Sequence, residues 1–121
     1  MDIKKAEKSL NIKTNVLKRI LKEYEYYLKE VAGSEKYIGE LIAKEGIDSY
    51  DIKKAREVLQ ENHSMSQNTL DRIETSRVNL IEELKVFESI YKPEGDDSET
   101  PQRILINQAR EYLEKAENLK K

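Results

Sequence analysis

Leu10, Leu17, Tyr24, Val31 and Ile38 recur at seven-residue intervals, and Ile20, Tyr27 and Leu41 occupy a second position of the same repeat. This spacing predicts a helix over about residues 5–44. Leu21, Leu28 and Ile42 widen the stripe beyond the seam of a two-stranded coiled coil, so the helix is expected to pack against two neighbours. Gly33 and Ser34 fall inside the pattern, but a glycine costs only about 1 kcal/mol against alanine and does not end a helix supported on both sides.

A second pattern starts at Tyr50 and continues through Ile52, Ala55, Leu59, Ile73, Leu80, Leu84, Phe87 and Ile90. Between Leu59 and Leu70 it turns polar, with Asn62, His63, Ser64, Ser66, Gln67, Asn68 and Thr69. No proline or glycine lies between Tyr50 and Tyr91, which predicts one unbroken helix over about 50–91 with a thin core in its middle third. Gly46 can take a left-handed helix-ending conformation, and Asp48 and Ser49 can accept from the free N–H groups of the next turn. Two long helices joined by so short a turn run antiparallel.

Lys92-Pro93-Glu94-Gly95-Asp96-Asp97-Ser98-Glu99 reads as an acidic linker over 92–99. Thr100-Pro101 then supplies an N-cap and a first-turn proline, and Ile104, Leu105, Ala109, Tyr112, Leu113, Ala116 and Leu119 predict a third helix over about 101–119. The expected fold is all-α: an elongated antiparallel three-helix bundle, up-down-up and spectrin-like, with a shorter third helix, in a single domain over 1–121.

At about 1.5 Å per residue the third helix reaches roughly half the length of the first two. It is expected to pack along Leu17 to Val31 and Ile73 to Phe87, leaving the hinge end two-stranded. Tyr37, Ile38, Leu41, Ile42, Ile52, Ala55, Val58 and Leu59 would then be only partly covered, which makes that end a candidate contact surface.

Composition narrows the function. Apolar residues make up 37% and charged residues 38%, with mixed signs and periodic apolar positions, which favours a folded helical chain over disorder. There is no cysteine, so disulfides and thiolate metal sites are excluded and a reducing compartment is expected. No apolar run approaches the roughly 20 residues of a membrane span, and Met1-Asp2-Ile3-Lys4-Lys5 lacks a signal-peptide core, so a cytoplasmic protein is expected. The net charge is −2. Seven basic residues between Met1 and Lys22 are spread around their helix, which argues against nucleic-acid or membrane attachment.

Catalytic chemistry is missing from the pattern. The single histidine, His63, has no cysteine or suitably spaced carboxylate beside it, and no phosphate loop, nucleophile elbow or calcium loop occurs. Neither an enzyme nor a cofactor or metal is expected. Glu25 with Lys29 and Glu111 with Lys115 have the spacing of surface ion pairs. Tyr24, Tyr27 and Tyr112 fit core-facing positions, whereas Tyr26, Tyr37, Tyr50 and Tyr91 lie at edges where an amphipathic ring can serve a partner.

Two runs carry more. Ile12-Lys13-Thr14 with Val16, Lys18-Arg19 and Lys22-Glu23 is one; Tyr50-Asp51-Ile52-Lys53-Lys54 with Glu57 and Leu59-Gln60-Glu61 is the other. Their identity and separation resemble the tubulin-binding cofactor A family over nearly the whole chain. The resemblance implies a three-helix bundle that captures folding-competent β-tubulin released from the cytosolic chaperonin and passes it toward αβ-tubulin assembly, without nucleotide hydrolysis. It also implies contact with other tubulin-folding cofactors and a cytoskeleton-associated, cytoplasmic setting. Carried over by position, the candidate partner-binding residues are Lys13, Lys18, Arg19, Lys22 and Glu23 on helix one, and Tyr50, Asp51, Lys53, Lys54, Glu57, Gln60 and Glu61 on helix two. Arg72 and Glu74 match less distinctively, and Tyr37 joins the candidates from its place near the hinge.

Many relatives carry a run with Arg, Met, Met, Ile and Pro where this chain has His63-Ser64-Met65-Ser66-Gln67. A proline-linked bend in helix two is therefore not implied here. The alternative function is a non-enzymatic adaptor or structural module with another protein partner. A monomer and a homodimer are both compatible with the uncovered hinge end.

Overall fold

The computed structural model describes residues 2–119; Met1, Lys120 and Lys121 of the expected 1–121 domain lie outside the described residues. Within that range the chain is all-α, with α1 over Ile3–Ala43, α2 over Ser49–Ile90 and the shorter α3 over Pro101–Asn118. α2 passes unbroken through its polar middle third. Its start is capped by Asp48, whose Oδ1 accepts from Tyr50 N at 3.0 Å, after Gly46 turns the chain at φ 73°. α3 starts as the Thr100-Pro101 pair dictates: Thr100 is extended, and its hydroxyl accepts from Arg103 N at 3.1 Å.

Chain contacts divide the described residues into two compact units, one formed by the stretch up to Leu21 with the stretch from Arg72 onward, the other by residues 22–71. The first is three-stranded. Leu10, Leu17, Leu80, Phe87 and Ile106 are almost fully enclosed, joined by Ala6, Ile20, Ile73, Leu84, Ala109 and Ala116. Each large side chain so buried contributes on the order of 1.5–3 kcal/mol relative to exposure. Gln102 donates to Glu7 at 2.6 Å and Lys18 sits over the Tyr112 ring at 6.0 Å, so α3 runs parallel to α1. Arg110 meets Glu88 at 3.1 Å and Arg77 meets Glu117 at 3.4 Å, so α3 runs antiparallel to α2.

These pairings correct one expectation. On α1 the third helix lies along Glu7 to Lys18, not along Leu17 to Val31. The reason is in the linker, which folds back instead of extending. The Tyr91 hydroxyl lies 3.0 Å from both Asp97 Oδ2 and Thr100 Oγ1, so α3 begins within a side-chain bond of the end of α2.

The second unit is two-stranded, built from the later part of α1, the turn and the earlier part of α2. Its apolar cluster is Ile38, Leu41 and Ala55, with Ile47, Ile52 and Leu59 packed against it. Ile38, Leu41 and Ala55 are therefore buried and not, as expected, partly covered. Ser66 and Thr69 are buried as well, each donating to a carbonyl of its own helix, His63 O at 2.8 Å and Met65 O at 2.7 Å. Among the described residues no buried side-chain polar atom lacks a hydrogen-bond partner.

Candidate partner-binding surface

Two helices enclose one seam and leave both flanks of the pair open, so the second unit exposes apolar surface that a third helix would cover. Tyr37, Ile42, Tyr50 and Val58 are each more than half exposed. On one flank, Tyr37, Leu41, Lys44 and Ile47 line a groove of about 430 Å³ together with Asp51, Lys54, Ala55 and Val58 of α2. On the other, Ser49, Ile52, Lys53, Arg56, Glu57 and Gln60 line a groove of about 550 Å³. Residues 51, 54, 55 and 58 share one side of a helix and 53, 56, 57 and 60 the opposite side, so the two grooves do not merge.

The candidate residues of α2 are thereby sorted. Asp51 and Lys54 belong with Tyr37, while Lys53, Glu57 and Gln60 belong to the second groove. Tyr50, Lys54, Glu57 and Glu61 follow each other at intervals of four, three and four along the outward side of the helix. Lys54 Nζ stands 5.5 Å from the Tyr50 ring centroid and 3.6 Å from Glu57 Oε2, so the stripe holds a preset cation with ring and carboxylate on either side.

The candidates of α1 are less unified. Lys13, Lys18 and Arg19 fall in the first unit, Lys22 and Glu23 in the second. Lys18 covers Tyr112 of α3 and so serves the packing of the first unit. Lys13 and Glu23 are half-buried, whereas Arg19 and Lys22 are exposed.

Tyrosine placement also differs from expectation. Tyr24, Tyr27 and Tyr112 are half-buried and not enclosed; Tyr27 lies edge-on to exposed Tyr26 with ring centroids 5.3 Å apart. Sequence reasoning missed Lys44, Ile47 and Arg56 as groove-lining residues. The signal for Lys44 was its seven-residue spacing from Tyr37, which puts both on one side of α1. His63, half exposed, has its nearest carboxylate across the pair, Glu35 at 3.9 Å, and not Glu61 of its own helix.

The family model for Tubulin binding cofactor A matches residues 5–113. The chain belongs to the tubulin-binding cofactor A family. It is 29% identical over 109 residues to the Tubulin-specific chaperone A of Saccharomyces cerevisiae, covering 90% of this chain and 97% of that one. The fold agrees with the solved structure of tubulin folding cofactor A from Arabidopsis thaliana, with TM-score 0.77 and 28% identity over 93% of this chain and 96% of that chain. It also agrees with a structure described as Rbl2p, a β-tubulin-binding post-chaperonin cofactor, with TM-score 0.60 and 29% identity, covering 88% and 98%.

For this family member, no helix of the described residues is long and apolar enough to cross a membrane. The described residues contain no group of three or more His, Asp or Glu placed to hold a metal ion.

Proposed function

We propose that this tubulin-binding cofactor A family member captures the β-tubulin monomer leaving the cytosolic chaperonin, holds it in the cytoplasm and releases it toward αβ-tubulin assembly, without catalysing a reaction. The observation that supports this most is the family match over residues 5–113, joined to the β-tubulin binding recorded for the Rbl2p fold relative.

The second unit supplies a physical means of capture. Tyr37 and Val58 offer apolar area beside Lys44 and Lys54, so an apolar tubulin segment bordered by carboxylates would bury on the rings and pair at the rim. Lys53 and Arg56 serve the opposite flank in the same way. Rim charges chiefly set encounter rate and the exposed rings chiefly set residence time.

Immobilised protein challenged with separated α- and β-tubulin tests the reading. Preferential retention of β-tubulin is expected; equal retention of both, or of neither, would refute it. Replacing Lys53 and Lys54 together by alanine should weaken capture while leaving the thermal midpoint in place, because both side chains are exposed.

A further inference from the structure

We propose that Asn62, paired with Ser34, is a register lock for the pairing of α1 with α2 in the second unit. The hinge-end cluster of Ile38, Leu41 and Ala55 is apolar and therefore non-directional. Beyond Leu59, the seam positions of α2 continue at alternating spacing through Asn62, Ser66 and Thr69. The Ser66 and Thr69 hydroxyls are turned onto their own helix, so they are satisfied in any register.

Asn62 is different. Its Nδ2 donates to Ser34 Oγ at 2.8 Å and to the Glu30 carbonyl at 3.4 Å, two acceptors one helical turn apart on the facing helix. A slip of one turn toward the hinge would set the amide against buried Ile38, and a slip of one heptad against buried Leu41. Neither side chain can accept, so each slipped pairing takes from the half-buried Asn62 amide the side-chain acceptor that the observed pairing supplies. Small hydroxyl residues in the rest of the seam would otherwise tolerate such slips. The lock is bought with apolar burial given up at this level, as with a single polar residue in a coiled-coil seam.

The full-length chain carrying Asn62→Leu, Asn62→Ala or Ser34→Ala tests this by amide NMR, hydrogen exchange and light scattering. Asn62→Leu should raise the thermal midpoint yet split or broaden the amide resonances of residues 28–38 and 58–69, or raise the associated fraction above that of the parent chain. Asn62→Ala should give the same heterogeneity at a lower midpoint. Ser34→Ala should speed exchange of those amides by up to about tenfold, and its effect should not add to that of Asn62→Ala. One sharp set of resonances at parental mass in both Asn62 variants, or simple additivity of the Ser34 and Asn62 effects, would overturn the proposal.

Discussion

Arg103 donates its Nε to Asp97 Oδ2 at 2.8 Å, closing the linker onto the first turn of α3 while its guanidinium lies 5.9 Å from the Tyr91 ring centroid. The Arg103 bond, and after it the Tyr91 hydroxyl, hold the Asp97 carboxyl below the ordinary carboxylate range. The unfolded chain binds this proton more readily than the folded one, so the contribution is present above the unfolded value near ~3.9 and is lost as pH falls through the lowered folded value. Thermal melts of Asp97→Asn should run below the parent at neutral pH, with the gap narrowing as the pH is taken below about 4, whereas a gap that stays constant there would remove Asp97 as the titrating group.

Thr100 caps the same helix and should report its strength separately. Thr100→Ala removes the acceptor of Arg103 N and is expected to cost about 1 kcal/mol, with Thr100→Ser recovering most of it, measured by urea denaturation. Because the Tyr91 and Asp97 contacts share the same corner, the Thr100 and Asp97 effects should be non-additive.

Two glycines should respond to alanine with opposite sign. Gly46 holds φ 73° in the turn, a conformation that costs an L side chain roughly 1–2 kcal/mol, so Gly46→Ala should destabilise. Gly33 sits inside α1 with nothing within 4 Å of an added Cβ, so Gly33→Ala should stabilise by about 0.5–1 kcal/mol.

Thr69 offers a test of the buried hydroxyl seam. Its Oγ1 donates to Met65 O, while its own exposure is 1%. Thr69→Val keeps the branched shape and leaves no stranded donor, so a gain of about 0.5–1 kcal/mol is expected from equilibrium unfolding.

Core and candidate surface should separate cleanly under truncation. Leu17→Ala, at a fully enclosed position, should cost about 2–5 kcal/mol. Tyr37→Ala and Val58→Ala lie at sites more than half exposed and should stay within about 0.5 kcal/mol of the parent, while weakening β-tubulin capture in the same preparations. Parental capture in the Tyr37→Ala/Val58→Ala pair would move the contact surface elsewhere.

The sequence by itself was enough for the helices and their order. Heptad spacing, Gly46 with Asp48, and Thr100-Pro101 are local signals read by the backbone within one or two turns, and they yielded three helices with a shorter third. The family-specific runs at Ile12–Glu23 and Tyr50–Glu61 were legible for the same reason, since identity and spacing are properties of the chain. Only tertiary structure decided where α3 lies. Whether an acidic linker extends or folds back depends on Tyr91, just past the end of α2, and Arg103, in the first turn of α3, both reaching Asp97, and hydrophobic periodicity does not encode that meeting. Burial of Ser66 and Thr69 was hidden likewise, because their polarity masks a seam position that becomes visible only once the facing helix closes over it. The candidate surface divides along the same line: the chain named its residues, but the packing of α1 on α2 assigned Lys54 and Lys53 to opposite flanks and gave Lys18 to the packing of α3.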